Sequence, residues 1–211
     1  MIVVAGVALG LALLLPRGEE PARTPEEAKR LVARVAAGPE EWGAGFAAGD
    51  ESYELGEEAL REDCQIISRA DRPGTLVSYR RLVSKAQPVM EGHSEVRVFK
   101  DAATARAFVA DAEDAVHRCA TQRSGAERYG NIREGVTEQL TGFDEVVAEI
   151  GASLIDTYGK KTDERYTRVT GLMGDTVLAV QMFGPADMAT DNNALTTATI
   201  QRMQKRLQAE R

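Results

Sequence analysis

The stretch from Ser94 to Ala120 constrains the fold of this chain more than any other. Val96 and Val98 alternate with polar neighbours as a half-buried strand should, and Lys100 and Asp101 mark the turn into a helix. Asp101 is placed to cap a helix beginning at Ala102 and running to about Thr121. Ala105, Phe108, Val109, Ala112, Ala115, Val116 and Cys119 recur at helical spacing, so one face of that helix turns to the core and carries Cys119 with it. The many small residues on this face place the helix close to a sheet. Residues two apart on a helix differ by about 200° around the axis, which turns His117 outward if Cys119 points inward.

The N-terminus narrows the compartment. Ile2 to Leu15 is apolar and uncharged, then breaks at Pro16 and Arg17. As a helix these residues would span about 21 Å, short of the roughly 30 Å hydrocarbon core. The segment at 1–15 therefore reads as a signal-peptide core or part of a membrane anchor. A basic n-region before it is missing, which is explained if Met1 is an internal methionine with the true start upstream. Residues 16–24, PRGEEPART, form a charged linker, and 25–211 is expected to be one extracytoplasmic α+β domain.

Export decides how the two cysteines are read. In an oxidising compartment an even count fits one bridge, and neither Cys64 nor Cys119 sits in a Cys-x-x-Cys redox or zinc spacing, so a Cys64–Cys119 disulfide is expected. A zinc site using these cysteines with His93 and His117 is opposed by the outward direction of His117.

Elsewhere the chain alternates helix and strand signals. Thr24, Pro25, Glu26 and Glu27 open a first helix whose stripe is Ala28, Leu31, Val32 and Val35, ended by Gly38 and Pro39. The glycine-rich stretch 40–61 reads as loop and short helical turns, and Gly56 to Cys64 as a short helix delivering Cys64. Leu76 to Val83 reads as a strand after the turn at Asp71–Gly74, with a further turn at Glu91–His93. A strand is expected over Asn131 to Gln139, then a loop and strand within Phe143 to Ile155. Arg165–Met173 and Thr176–Phe183 flank Gly174-Asp175 as a β-hairpin. Pro185 and Asp187 start a closing helix with Thr196, Ile200, Met203 and Leu207 as its stripe.

Several chemistries lack their residues. A net charge of −7 leaves no basic footprint for a phosphate backbone, and 5% aromatics leave few stacking platforms, so nucleic acid is not an expected partner. No nucleophile elbow, phosphate-binding loop, dinucleotide fingerprint or zinc-protease helix occurs, and no catalytic residue or cofactor is assigned. Asp111, Glu113 and Asp114 read as a solvated helix face. Asp187 to Asn193 has oxygen ligands but lacks the calcium-loop glycine and distal glutamate, and reads as helix capping. Arg80 and Arg81 must point to opposite faces of their strand, where charge pairing or edge protection is favoured over anion binding.

The V-x-V-F strand, the Ala-rich helix ending His-Arg-Cys119, the hairpin at Gly174-Asp175 and the closing helix together resemble the extracytoplasmic sensor domains of PknH-type actinobacterial serine/threonine kinases, and still more their stand-alone secreted or anchored relatives. The resemblance spans about Leu60 to Leu207. Relatives commonly end the helix in Trp, a few polar residues and Cys, whereas here Val116-His-Arg-Cys119 lacks the Trp. The kinase sensor uses two disulfides, and this chain can form one. The resemblance implies a curved antiparallel sheet with helices packed on it and a cleft for an unknown ligand; a PsbP- or Mog1-like α+β fold is the alternative. It further implies an anchored or secreted binding module, not an enzyme, whose ligand-binding residues are unknown. The competing expectation is a non-catalytic interaction domain of the cell envelope. A deep cleft would favour a small-molecule ligand, and a filled core with an exposed apolar patch a protein partner.

Overall fold

The computed structural model describes residues 23–211, so the apolar segment 1–15 and the linker up to residue 22 lie outside the described residues. Helix α1 (Pro25–Val35) opens with a reciprocal cap: the Glu27 amide donates to Thr24 Oγ1 at 3.3 Å and the Thr24 amide to Glu27 Oε2 at 2.9 Å. One turn of helix, α2 (Pro39–Trp42), follows. The strands are β1 (Phe46–Tyr53), β2 (Glu57–Leu60), β3 (Ile66–Arg69), β4 (Thr75–Ala86), β5 (Val89–Phe99), β6 (Gln122–Ser124), β7 (Glu127–Glu134), β8 (Glu145–Ile155), β9 (Lys161–Met173) and β10 (Thr176–Pro185). Helix α3 (Ala102–Arg118) lies between β5 and β6, and α4 (Ala189–Ala209) closes the chain after a single 3-10 turn.

Eight strands form one open, curved antiparallel sheet in the order β1-β4-β5-β10-β9-β8-β7-β6, while β2 and β3 pair apart from it as a hairpin. The protein is thus an α+β fold with a large antiparallel sheet and helices packed on it. Helices α1 and α4 cover one face, where Val96, Val98, Leu178, Val180 and Met182 meet Val32, Ile200, Met203 and Leu207 in the main core. Helix α3 covers part of the other face, with a smaller core of Phe99, Ala105, Val109, Leu172 and Val177.

Four sequence readings need correction. Gly56–Cys64 is strand β2 and a turn, not a helix: Glu57 is buried opposite Arg69 while Glu58 on the other side of the strand is exposed at the cavity, an alternation too short to read from sequence. Within 40–61 the structure adds an eight-residue strand, β1, whose side chains are almost all exposed and which is held through its backbone by β4. The turn expected at Glu91–His93 lies instead at Gln87–Pro88, and β5 runs through all three residues. Gly92 is there for space, since a Cβ on it would sit 2.9 Å from the Met182 methyl and 3.2 Å from the Trp42 ring. The strand expected over Asn131–Gln139 is shifted to Glu127–Glu134, the stretch that finds backbone partners in β8.

Candidate functional site

Side chains alternate along a strand, so each central strand contributes different residues to the two faces. In β5, Ser94, Val96 and Val98 turn to the main core, and His93, Glu95, Arg97 and Phe99 turn to the α3 side. Strand register lines these up with their neighbours. One row across the sheet reads His93, Gln181, Arg168, Glu149 on β5, β10, β9 and β8, and the next reads Arg80, Glu95, Ala179, Thr170, Val147 on β4, β5, β10, β9 and β8.

These rows floor a cavity of ≈ 550 Å³, within the range of small-molecule sites. The N-terminal half of α3 closes on the sheet through Ala105, Phe108 and Val109, whereas Ala112, Ala115 and Arg118 of its C-terminal half stand over open space. The alanines expected to bring helix and sheet together thus also leave room between them. The β2–β3 hairpin completes the roof. It is strapped to the C-terminal end of α3 by the Cys64–Cys119 bond, with Cα atoms 5.7 Å apart, and by Arg118, which donates to the carbonyls of Arg61 and Leu60 at 3.0 and 3.3 Å. Tyr129, Tyr166 and Phe183 wall one side in edge and tilted ring contacts at 5.9 and 5.4 Å. Gly151 makes room for the middle ring, since a Cβ there would lie 2.6 Å from it.

Most buried charges at the site are closed on partners. Glu95, 2% exposed, takes the Arg97 guanidinium on one oxygen and Arg80 on the other at 3.1 Å. Burial would raise its pKa, but the Arg97, Arg80 and Arg168 charges outweigh burial and hold it down at about 2. Arg97 also donates to Asp71 at 2.7 Å and to the Gly56 carbonyl at 2.8 Å, tying the roof to the floor. Glu57 is clasped by Arg72 and Arg69 at 2.7 and 2.9 Å, and Arg72 reaches on to Asp111 of α3 at 2.7 Å. His93 is pushed down to about 3, first by burial and then by the Arg80 charge, so it is a neutral imidazole at physiological pH. Burial raises the Tyr166 hydroxyl, which donates to Glu149, and likewise raises Tyr129.

Arg168 differs from the other arginines at the cavity. Its side chain makes no hydrogen bond among the described residues, its nearest carboxylate is Glu58 at 3.9 Å, and it keeps 27% exposure because it borders the cavity. Burial would weaken its charge, but Glu58, Glu95 and Glu149 outweigh that and keep it firmly protonated.

Arg80 and Arg81 do point to opposite faces. Arg80 borders the cavity beside Glu95, and Arg81 pairs with Glu51 at 2.9 Å on the α1 side. His93 lies on the sheet floor, while His117 is 56% exposed on the far side of α3, 3.0 Å from Glu134. No cluster of three or more His, Cys, Asp or Glu is arranged to hold a metal among the described residues. Asp111, expected to be merely solvated, is 65% exposed yet bonded to Arg72 at the cavity's edge. Asp187–Asn193 forms the 3-10 turn and the first turn of α4, with Asn192 buried and Asn193 accepting from the Thr167 hydroxyl. Sequence reasoning assigned no ligand-binding residue; the available signal was the polar half of apolar alternating strands, H-S-E-V-R-V at 93–98 and V-Q-M at 180–182.

No protein-family model and no curated protein matches the chain. Among solved structures it is similar to the extracellular domain of PknH from Mycobacterium tuberculosis, with a TM-score of 0.58 and 14% identity over 87% of this chain and 98% of that one. At that identity the likeness establishes the fold alone.

Proposed function

We propose that this chain is an extracytoplasmic sensor-like module of the PknH type, which binds a small polar molecule in the cavity between the sheet and α3. The cavity itself carries the reading: a space of ≈ 550 Å³ floored by converging polar side chains from four adjacent strands. The likeness to an extracellular domain, the Cys64–Cys119 bond and the export reading of residues 1–15 support an extracytoplasmic setting. In this reading that segment either anchors the module or is removed on secretion, and signalling passes to a separate partner. The site binds and does not catalyse. Its buried acid and base candidates, Glu95 at about 2 and His93 at about 3, are far from the pKa near 7 that efficient proton transfer needs. For the alternative of a protein-docking surface, the most exposed apolar side chains among the described residues are Val89 at the start of β5, Val136 after β7 and Tyr158 before β9, none of which lines the cavity.

Native mass spectrometry of protein purified from its own cell envelope tests the proposal. We expect a retained small molecule in the wild-type protein and its loss from Ala112→Trp, which fills the cavity beneath α3. A wild-type protein that carries nothing and binds nothing from a metabolite extract would sink it.

A further inference from the structure

The carboxylates on the α3 side follow one pattern with Glu149 standing outside it. Glu95 sits between Arg97 and Arg80, and Glu57 between Arg72 and Arg69. Arg168 and Glu149 stand directly opposite each other on β9 and β8, close enough for a cross-strand ion pair, yet no such pair forms within 4.0 Å. One oxygen of Glu149 is drawn aside by the Tyr166 hydroxyl; the carboxylate makes no other hydrogen bond among the described residues. Both charged groups border the same cavity, with Gln181 beside Arg168 in the same row and the Tyr129, Tyr166 and Phe183 rings along one wall. Each is part-exposed to the cavity, so a molecule entering there meets an arginine and a carboxylate that the protein has not closed on each other.

We infer that the ligand is a zwitterion carrying a carboxylate and a protonated amine, an amino acid or short peptide. Its carboxylate lies on the Arg168 guanidinium, whose parallel N–H groups fit two carboxylate oxygens, and the Gln181 amide lies beside it. Its ammonium lies on the open oxygen of Glu149, and its side chain lies against the aromatic wall. A simple anion fits worse, because Glu58, Glu95 and Glu149 surround Arg168 and would repel it once the guanidinium is neutralised. A simple cation meets Arg168 in the same way.

This inference rests on the cavity being a ligand site, and the test separates the two. Free L-amino acids and glycyl dipeptides, their N-acetyl and C-amide derivatives, and neutral sugars are titrated against wild type, Arg168→Gln and Glu149→Gln, with binding read by amide NMR shifts and by thermal stabilisation. Glu149→Gln keeps an acceptor for Tyr166, and Arg168→Gln removes no side-chain hydrogen bond among the described residues, so both variants should fold. We expect at least one free zwitterion to bind wild type about tenfold or more tightly than its acetylated or amidated form. Arg168→Gln should erase the preference for the free carboxylate and Glu149→Gln the preference for the free amine. Binding only of sugars, or equal binding of blocked and free forms, overturns the zwitterion and leaves the cavity reading intact. Preferences that survive both substitutions overturn the assignment to these two residues. If no probe binds and the purified protein carries no small molecule, both readings fall.

Discussion

On the side of the sheet covered by α1 and α4, Val96, Val98, Leu178, Val180 and Met182 are buried against Ile200, Met203 and Leu207, and the buried hydroxyls of Ser94, Thr196 and Thr199 there are uncharged and bonded to backbone carbonyls. One residue along the same strands, on the side covered by α3, stand His93, Glu95, Arg97 and Gln181. The first face is closed by two helices that cross its central strands, and the second by one helix in contact at one end and a strapped hairpin at the other. Apolar burial and close packing stabilise the first face. The second keeps a cavity, and what holds it open is a set of charge pairs that need each other. The same backbone therefore carries a closed apolar face on one side and a cavity lined by charged groups on the other.

Substitution at matched depth is the strongest way to break this contrast. Glu95→Ala leaves Arg80 and Arg97 in a buried site without their shared carboxylate, and should cost about 3–5 kcal/mol in urea unfolding. Leu178→Ala on the opposite face should cost about 2–5 kcal/mol by leaving a void. Loss near 1 kcal/mol from Glu95→Ala would mean that these charges do not hold the cavity face together. Removing the Cys64–Cys119 strap by Cys119→Ser comes next, at about 2–4 kcal/mol. Hydrogen exchange should then rise in β2 and β3 while the α1 and α4 side stays protected, and uniform exchange would show that the hairpin is not a separate roof. Non-reducing peptide mapping of exported protein checks the bond directly, and two free thiols would contradict it.

Acid should act on the cavity face first. His93 is neutral in the fold down to about pH 3, but in the unfolded chain it takes up a proton below about 6.5, so stability falls as pH drops through that window. The limiting slope is about 1.4 kcal/mol per pH unit. Glu95 has the usual carboxylate sign: its contribution is complete above about 4.5 and is lost as pH falls towards about 2. His93→Gln should remove the limb between about 6.5 and 4.5 and keep the lower one. An unchanged pH profile would place the acid sensitivity elsewhere. The smallest effect is expected from Arg168→Gln, about 0.5 kcal/mol or less by the same unfolding measurement, since no side-chain hydrogen bond among the described residues is lost. A large destabilisation would make Arg168 structural and remove it from the recognition argument.

The two faces also differ in how far they can be read from sequence. The stripe of α1, the cap at Asp101, the inward direction of Cys119 and the hairpin at Gly174 follow from local periodicity and turn chemistry, and each has the expected geometry, with the Thr104 amide 2.7 Å from Asp101 Oδ1 and Gly174 at φ +57°. The α+β architecture, a curved antiparallel sheet with helices packed on it, is implied by the resemblance of these elements to the PknH-type domains and is the one observed. Strand β1 could not be anticipated, because an exposed edge strand has no apolar alternation and is held by backbone bonds to a distant partner. The length of β5 could not either, since Gly92 resembles a turn residue until Trp42 and Met182 are seen to fill the space over it.

For Ser94 to Ala120, then, the sequence by itself determined a strand, a capped helix and an inward cysteine, because those depend on repeats of two and 3.6 residues and on groups a few positions apart. Only the tertiary structure decided what the other half of that alternation is for. A polar residue on a half-buried strand is expected to meet water; whether it meets bulk solvent or an enclosed site depends on what lies over it. Here the C-terminal half of α3 and a hairpin bonded to Cys119 roof that side, and registers set across four strands place Arg168 and Glu149 side by side with neither closing the other's charge.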